Sequence, residues 1–327
     1  MNDQNILIYC SSRNNYEMLE NEILKNVNFE GFDFVNIDDN SVEEQILIGR
    51  KICEKNNITF LKNKGRGLSC GLQTVMDHAN NSKKNYKFVV WLTHDCYPIT
   101  SNFFSKLSNL INLNHLDKFG CVGFNTVWKK FICSEKDFIS KNLEGRFCAV
   151  MGRAVLTPVP GAGWYRPTDF TMSWNEWGKN IAVESIVDML MMFNIEKYNQ
   201  NIECDDVFHH FCWGDDICLQ FLKNNVSNVT LSNFYVYHDQ ELKAKYNIPT
   251  NSYRAAKSGN TYHFCSHDRH YEHWFKKWGF ERAWQTKINV LPEEVKEKYK
   301  DTLLAEFINH DFKKGPVKHY NFTKGIK

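Results

Sequence analysis

Short apolar runs alternate with amphipathic stretches along the first part of the chain. The runs that predict buried strands are Asn5–Cys10, Phe32–Ile37, Ile58–Leu61, Tyr86–Leu92 and Gly120–Phe124. The stretches whose apolar residues recur at helical spacing are Tyr16–Val27, Val42–Asn56, Leu68–Ala79 and a segment from Thr100 or Ser101 to about Leu113. This alternation predicts an α/β fold in which helices cover both faces of a mostly parallel central sheet.

The second part of the chain has a less regular pattern. Its predicted elements are helices over Ile181–Tyr198, Phe211–Lys223 and Pro292–Asn309, and a strand over Val229–Tyr237. Between residues 150 and 177, glycines, prolines and aromatic residues predict a loop-rich segment. We therefore expect one domain over residues 1–240, with halves 1–125 and 126–240, and a basic, aromatic and helical C-terminal extension over residues 241–327.

Polar side chains follow four of the predicted strands at the point where each strand ends. They are Ser11, Ser12 and Arg13, then Asp38 and Asp39, then Asn63 and Lys64, and finally His94 and Asp95. The carboxyl ends of parallel strands meet at one edge of a sheet, where open α/β folds bind their ligands. We expect a polar pocket there, with donors and acceptors for a nucleotide and a carboxylate for a metal. Each residue taken alone is equally typical of an ordinary turn.

Composition narrows the classes of function. The 327 residues contain 40 Lys and Arg against 38 Asp and Glu, and a net charge of +2 argues against nucleic-acid binding through bulk charge. The eleven cysteines form no Cys-x-x-Cys pair, and no signal peptide or apolar membrane-spanning stretch is found. We therefore expect reduced thiols, a cytoplasmic location and no transmembrane segment. The Cys- and His-rich stretches near residues 204–212 and 263–273 lack the paired spacing of zinc sites.

The order of the motifs resembles the family-two glycosyltransferases of the GT-A fold. The stretches that carry the resemblance are NILIYCSSRN, FVNIDDNS, FLKNKGRGLSCGLQTVMDHA, VVWLTHDCYP, WGDDICLQFL, YVYHDQ and, later, FKKWGFERAW. It covers most of residues 5–240. The resemblance implies a Rossmann-like sheet merged with an acceptor-binding half. It also implies an enzyme that moves a sugar from a nucleotide-diphospho-sugar donor, with a UDP- or GDP-type nucleotide.

The resemblance also assigns roles to residues at the matching positions. The residues implied to bind the nucleotide sugar are Ser11, Arg13, Asp38, Asp39, Asn63, Lys64, Arg66, His94 and Asp95. Asp95 and His238 are implied to hold Mn²⁺ or Mg²⁺, which suit oxygen and imidazole ligands. Asp216 is implied to be the catalytic base, with Asp215 orienting it or binding the acceptor. Acids in the first turn of a helix are also common caps.

Aromatic residues supply the candidate acceptor site. Trp164, Tyr165, Trp174 and Trp177 lie in the loop-rich segment, and Trp213 precedes the acidic pair. Aromatic rings of this kind offer stacking faces to sugars. We expect Trp164, Trp177 and Trp213 to contact a glycan acceptor. His267, Arg269 and His270 are further candidates for an approach to the diphosphate.

Two positions depart from the family pattern. Thr93 stands where the metal-binding triplet has its first acid, so Asp95 is the acid that remains. Leu72 stands where many members have an arginine near the diphosphate, which makes Lys64 or Arg66 the expected cation. We expect an inverting, metal-assisted glycosyltransferase acting on a carbohydrate hydroxyl. The alternatives are a sugar-nucleotide-binding protein without catalysis and a nucleotidyltransferase that releases pyrophosphate.

Overall fold

The computed structural model describes residues 5–127, 149–156, 164–165, 179–187, 189–210, 212–239, 241–246, 267–282, 291–311 and 315–322. The strands are β1 Ile6–Ser12, β2 Asp33–Asp38, β3 Thr59–Lys62, β4 Phe88–Leu92, β5 Cys96–Pro98, β6 Phe119–Val127, β7 Ala149–Val150, β8 Gly152–Arg153, β9 Trp164–Tyr165, β10 Asn180–Ala182, β11 Leu190–Asn194, β12 Ser227–His238 and β13 His319–Tyr320. The helices are α1 Tyr16–Met18, a π-helical turn Leu19–Ile23, α2 Leu24–Asn26, α3 Glu43–Lys55, α4 Gly67–Asn80, α5 Phe103–Asn112, α6 Ile195–Asn201, α7 Trp213–Lys223, α8 Glu241–Lys245, α9 His267–Trp278, α10 Glu293–Lys298 and α11 Leu304–Ile308.

One large sheet joins both predicted halves of the chain. Its strand order is β13-β10-β12-β6-β11-β4-β1-β2-β3, with β5 beside β12 and β7 beside β6. Strand β1 runs parallel to β2 and β4, β2 to β3, and β6 to β12, whereas β11 is antiparallel between β4 and β6. The predicted α/β fold is confirmed. Strands β1 to β4 form a parallel, Rossmann-like part, whereas β5, β7, β10, β11 and β13 pair antiparallel with their neighbours, so the sheet as a whole is mixed.

Helices cover both faces of this sheet. Helix α3 packs on β2, β3 and α1, while α4 packs on β1, β2, β4 and α7. Crossovers between parallel strands are right-handed. Helix α3 lies on the outward path to β3 and α4 on the path back to β4, so the two helices lie on opposite faces. The central strand β4 is buried on both sides, as its unbroken apolar run predicts.

The predicted helix over Ile181–Tyr198 is wrong. The structure has two strands, β10 and β11, in this stretch, and only the residues from Ile195 onward form a helix, α6. Strand β11 lies between β4 and β6, so its five residues are buried on both faces. A run that is apolar on all sides fits a central strand as well as a buried helix, and periodicity alone does not separate them.

The C-terminal residues are partly integrated into the sheet. Strand β13 pairs with β10, and the predicted helix over Pro292–Asn309 is two short helices, α10 and α11. The division at residue 240 stays a prediction.

Within the described ranges, no helix is long and apolar enough to cross a membrane. The eight cysteines in those ranges are free thiols.

Gly49 tests the packing of α3 on α1. A Cβ at this position would lie 2.3 Å from Cε1 of Tyr16, whose hydroxyl donates to Asp38. We expect Gly49→Ala to lower the free energy of unfolding by about 1–3 kcal/mol, because overpacking outweighs the better helix propensity of alanine. Urea denaturation measures the change, with the exposed Lys51→Ala on the same helix as the control. A Gly49→Ala protein as stable as the parent, or more so, would contradict this packing.

Candidate functional site

The polar residues that follow the parallel strands meet at one edge of the sheet. In the sheet register, Ser12 pairs with Asp38, and Asp38 pairs with Lys62, so β1, β2 and β3 end side by side. Strand β4 ends beside β1, with Leu92 opposite Cys10. The predicted convergence of these strand ends is therefore present in the structure.

Asp39 lies at the centre of this edge. Its Oδ1 atom accepts hydrogen bonds from Asn63 Nδ2 at 2.8 Å and from the backbone N–H of Gly67 at 2.8 Å. The guanidinium of Arg13 lies 3.9 Å from the other oxygen. Three of the predicted nucleotide-sugar residues, Arg13, Asp39 and Asn63, are thus in one cluster.

Asp38 has a different environment from its neighbour. It is 2% exposed, and its two oxygens accept hydrogen bonds from the Tyr16 hydroxyl at 2.7 Å and the Ser41 N–H at 3.3 Å. These bonds tie the end of β2 to α1 and to the start of α3. Donor contact by Asp38 stays a prediction that this packing does not favour.

Glycines keep space at the same edge. A Cβ on Gly71 would lie 3.1 Å from Ser11 Oγ and 3.8 Å from Asn63 Nδ2, and Ser11 Oγ is buried without a hydrogen-bond partner among the residues that the structure describes. Gly67 has φ +76°, and a Cβ there would lie 2.3 Å from the carbonyl oxygen of His209. A ligand group at Gly71 would therefore meet an available hydroxyl and an amide.

The two expected diphosphate cations lie at the surface. Lys64 is exposed and forms an ion pair with Asp77 of α4. Arg66 is also exposed, and its backbone carbonyl accepts from the ring of His209 at 3.2 Å. Their contact with a diphosphate stays a prediction, whereas Arg13 is already beside Asp39.

His94 is a buried part of the edge. Its Nε2 lies 3.0 Å from Ser12 Oγ and its Nδ1 lies 3.4 Å from Asn15 Nδ2. Burial lowers the pKa of His94 to about 4, although the nearby Asp95 carboxylate raises it. A neutral His94 imidazole therefore joins the end of β4 to β1, and donor contact by it stays a prediction.

Asp95 and His238 meet although they are 143 residues apart, with Asp95 Oδ2 3.2 Å from His238 Nε2. The pairing of β5 with the end of β12 sets this distance, because His238 lies opposite Cys96 and the Asp239 N–H donates to the Asp95 carbonyl at 2.8 Å. A carboxylate and an imidazole suit Mn²⁺ or Mg²⁺. Within the described ranges, no three His, Cys, Asp or Glu side chains form a metal cluster. The donor pair thus fits a cation that also binds diphosphate oxygens and water.

Asp215 is buried in an ion cluster at the start of α7. Its Oδ2 binds Arg153 at 3.0 Å and also Arg282, and its Oδ1 accepts from Ser185 Oγ at 2.6 Å. Burial raises the pKa of Asp215, but the two guanidiniums lower it more, so the net shift is downward. An ionised Asp215 therefore holds the start of α7 to Arg153 and Arg282, and its role in orienting Asp216 or binding the acceptor stays a prediction.

For Asp216, the effect of burial on the pKa outweighs the effect of the neighbouring cation. Its carboxylate accepts from Trp278 Nε1 at 2.9 Å, Lys277 Nζ at 2.9 Å and Gln220 Nε2 at 2.7 Å. Burial raises the pKa of Asp216, and Lys277 offsets only part of that increase. Neighbouring acids whose environments separate their pKa values commonly divide into a structural and a proton-transferring member.

Of the predicted acceptor residues, the structure describes Trp213 and the backbone of Trp164. The Trp213 ring is in the core, 4.7 Å from Trp91 in a T-shaped contact, so acceptor contact by Trp213 stays a prediction that this packing does not support. The backbone of Trp164 in β9 pairs with Arg153 in β8. Trp174 and Trp177 lie outside the described residues.

The histidine-rich helix α9 packs against the loop before α7. His270 is buried, and the centroid of its ring lies 6.1 Å from the ring centroid of His209 and 6.2 Å from that of Phe208. Arg269 is exposed, and the side chain of His267 lies outside the described part of the chain. An approach of these residues to a diphosphate stays a prediction.

Sequence reasoning missed the basic partners of the acidic pair. Lys277, Trp278 and Arg282 lie in the stretch FKKWGFERAW, which resembled the family without suggesting what it contacts. Arg153 follows no recognisable motif. Only the spacing of aromatic and basic residues after His238 could have indicated a segment that folds back onto the acids.

Comparisons with known proteins give likeness in fold alone. No family model and no curated protein matches the chain. One similar solved structure is GalNAc-T7 with UDP, GalNAc and Mn²⁺, at 14% identity and a TM-score of 0.49, covering 72% of this chain and 43% of that one. A second is S. aureus TarS 1-349 with UDP-GlcNAc, at 13% identity and a TM-score of 0.42, covering 70% of this chain and 57% of that one. A third is the mannosyltransferase PcManGT of Pyrobaculum calidifontis with GDP-Man and Mn²⁺, at 14% identity and a TM-score of 0.36, covering 60% of this chain and 46% of that one. The chain spans about half the length of these proteins. At TM-scores below 0.5 the likenesses carry no argument about activity, and membership of family two stays a prediction.

The ion cluster at Asp215 gives a stability prediction. Asp215→Asn leaves the buried guanidiniums of Arg153 and Arg282 without their carboxylate, so we expect the free energy of unfolding to fall by about 3–5 kcal/mol. The matched control is Asp77→Asn, whose partner Lys64 is exposed, and there we expect a change below about 1 kcal/mol. Chemical denaturation compares the two variants. Equal, small losses would show that the cluster contributes little to the fold.

Proposed function

We propose that this protein is a glycosyltransferase that moves a sugar from a UDP- or GDP-type nucleotide sugar to a carbohydrate hydroxyl. The observation that carries the proposal is the meeting of Asp95 and His238 at 3.2 Å, at the sheet edge that also holds Asp39 and Asn63. A carboxylate and an imidazole that can hold a hard cation, beside a cluster of hydrogen-bonding groups, suit a nucleoside diphosphate better than a neutral ligand.

Within this proposal the nucleotide lies on the ends of β1 to β3. Arg13, Asp39 and Asn63 offer a cation, an acceptor and an amide within one cluster, and Ser11 offers a buried hydroxyl. Gly71 leaves room for close approach to the start of α4. Asp38 accepts hydrogen bonds from Tyr16 and Ser41 and would support this edge without contacting the ligand itself.

Asp95 and His238 would hold the divalent cation. When bound, Mn²⁺ or Mg²⁺ supplies positive charge that stabilises the departing diphosphate. With two protein ligands, we expect the cation and the nucleotide to bind together, because the diphosphate must supply further oxygens.

Asp216 would accept the proton of the acceptor hydroxyl, as an inverting transfer requires. Its burial and raised pKa support a base, and Asp215 fixes the start of α7 beside it. The acceptor itself would contact the segment that contains Trp164 and Trp177. Because the carboxylate of Asp216 already accepts three hydrogen bonds, a sugar-nucleotide-binding protein without catalysis is the second candidate.

Metal-linked nucleotide binding tests the proposed donor site. We expect calorimetric titration with UDP or GDP to show at least about tenfold tighter binding with Mn²⁺ than without it, because a cation held by Asp95 and His238 would supply positive charge to the diphosphate. Asp95→Ala and His238→Ala should each abolish this gain. The control is Asp239→Asn, which changes the neighbouring acid and not the proposed ligands. Tight binding that is indifferent to chelator and to both alanine variants would rule out this metal site.

Turnover tests catalysis. We expect release of nucleoside diphosphate from one member of a nucleotide-sugar panel when glycan acceptors are present, and Asp216→Asn should lower it about 10²–10⁴-fold with little change in donor affinity. Asp206→Asn, an exposed acid before α7, is the control and should keep normal turnover. Binding without turnover across the panel would favour the non-catalytic candidate. Release of pyrophosphate would indicate a nucleotidyltransferase.

A further inference from the structure

Helix α9 places one ammonium group between two carboxylates. Lys277 Nζ lies 2.9 Å from Asp205 Oδ2 and 2.9 Å from Asp216 Oδ2. The Lys277 side chain is 26% exposed, Asp205 is 13% exposed and Asp216 is 2% exposed. Lys277 therefore joins the loop before α7 to the acid proposed as the base.

The neighbouring residues hold this bridge in place. Trp278, the next residue in α9, donates to the other oxygen of Asp216. His273, one helical turn earlier, lies 2.9 Å from the same oxygen of Asp205 that binds Lys277. Two successive turns of α9 thus contact both carboxylates, which fixes the ammonium in one geometry.

The charged and titratable groups around Asp216 come from several elements of the fold. They are Lys277 and His273 of α9, Asp205 of the loop before α7, Tyr198 of α6, and Asp215 of α7 with its partners Arg153 of β8 and Arg282 after α9. The two guanidiniums bind Asp215, and Lys277 is the cation in direct contact with Asp216 within the described residues.

We propose that Lys277 is a positioning residue that keeps Asp216 ionised and correctly oriented by sharing one ammonium between the carboxylates of Asp205 and Asp216. The proposal rests on the proposed function for the identity of the base, but the contact and its electrostatic effect do not. It also makes Lys277, which lies in the predicted C-terminal extension, a part of the site.

The signs of the effects follow from Coulomb interactions in a buried site. Removing Lys277 takes away a positive charge and leaves Asp205 facing Asp216, so protonation of Asp216 moves to higher pH. Removing the charge of Asp205 takes away a negative neighbour and leaves the ammonium wholly to Asp216, so protonation moves to lower pH. A lysine that serves only to pack α9 would leave the protonation of Asp216 unchanged when its charge is removed.

Carboxyl titration tests the proposal without any substrate. The protein is labelled with ¹³C at the aspartate carboxyl carbon, and the resonance absent from Asp216→Asn identifies Asp216. We expect its midpoint to rise by at least about 1 pH unit in Lys277→Met, a tenfold change in the protonation equilibrium, and to fall in Asp205→Asn. Lys277→Arg should stay near the wild type, and Lys276→Met, an exposed lysine of the same helix, should not change it.

An unchanged midpoint in both Lys277→Met and Asp205→Asn would overturn the proposal. If Lys277→Met does not fold, Lys277→Gln replaces it, because that variant removes the charge and keeps a hydrogen-bond donor, and an unchanged midpoint there would equally overturn the proposal. With an active donor, the acid limb of the kcat profile should follow the same order of variants. Normal turnover in Asp216→Asn would reject the proposed base, whereas opposite carboxyl shifts would still support the shared ammonium.

Discussion

The pairing of Cys96–Pro98 with the last residues of β12 is the constraint on which the candidate site depends. It brings His238 to the end of β4, where Asp95 follows a strand whose five residues are all buried. Strand β12 itself is fixed by its parallel pairing with β6, so the position of His238 is determined by the sheet and not by a loop. In the proposed metal site, both protein ligands would thus be held in place before a cation binds.

A second group of contacts holds the acidic end of α7. Asp215 and Asp216 are adjacent and buried, yet they point to different partners, two arginines for one and a lysine, a tryptophan and a glutamine for the other. Burying two carboxylates side by side is unfavourable unless each has its own cation or donors. The fold meets this requirement with residues from β8 and from α9 and the turn that follows it, distant in sequence from α7.

The sequence predicted well what depends on local pattern. The strands that precede Ser11, Asp38, Asn63 and Asp95, and the convergence of their ends, follow from the alternation of apolar runs and helices. The stretch Leu190–Asn194 was not predicted as a strand, since an apolar run has no periodicity to separate a central strand from a buried helix.

Side-chain partners over long range were beyond pattern reasoning. The sequence could not tell that Asp39 faces Asn63 and Arg13 while Asp38 is held by Tyr16, because both acids end the same strand. It also could not pair Lys277 with Asp216 across 61 residues, or Arg282 with Asp215 across 67. The Asp95–His238 pair was predicted only through the order of motifs that resembles a family, and its geometry required the sheet register.

A crystal structure with UDP or GDP and Mn²⁺, examined by anomalous scattering at the manganese edge, tests the central claim most directly. We expect a manganese peak in contact with the Asp95 carboxylate and the His238 imidazole, with the nucleoside beside Asp39 and Asn63. A nucleotide bound elsewhere, or bound at this edge with the direct Asp95–His238 contact intact and no manganese peak, would contradict it.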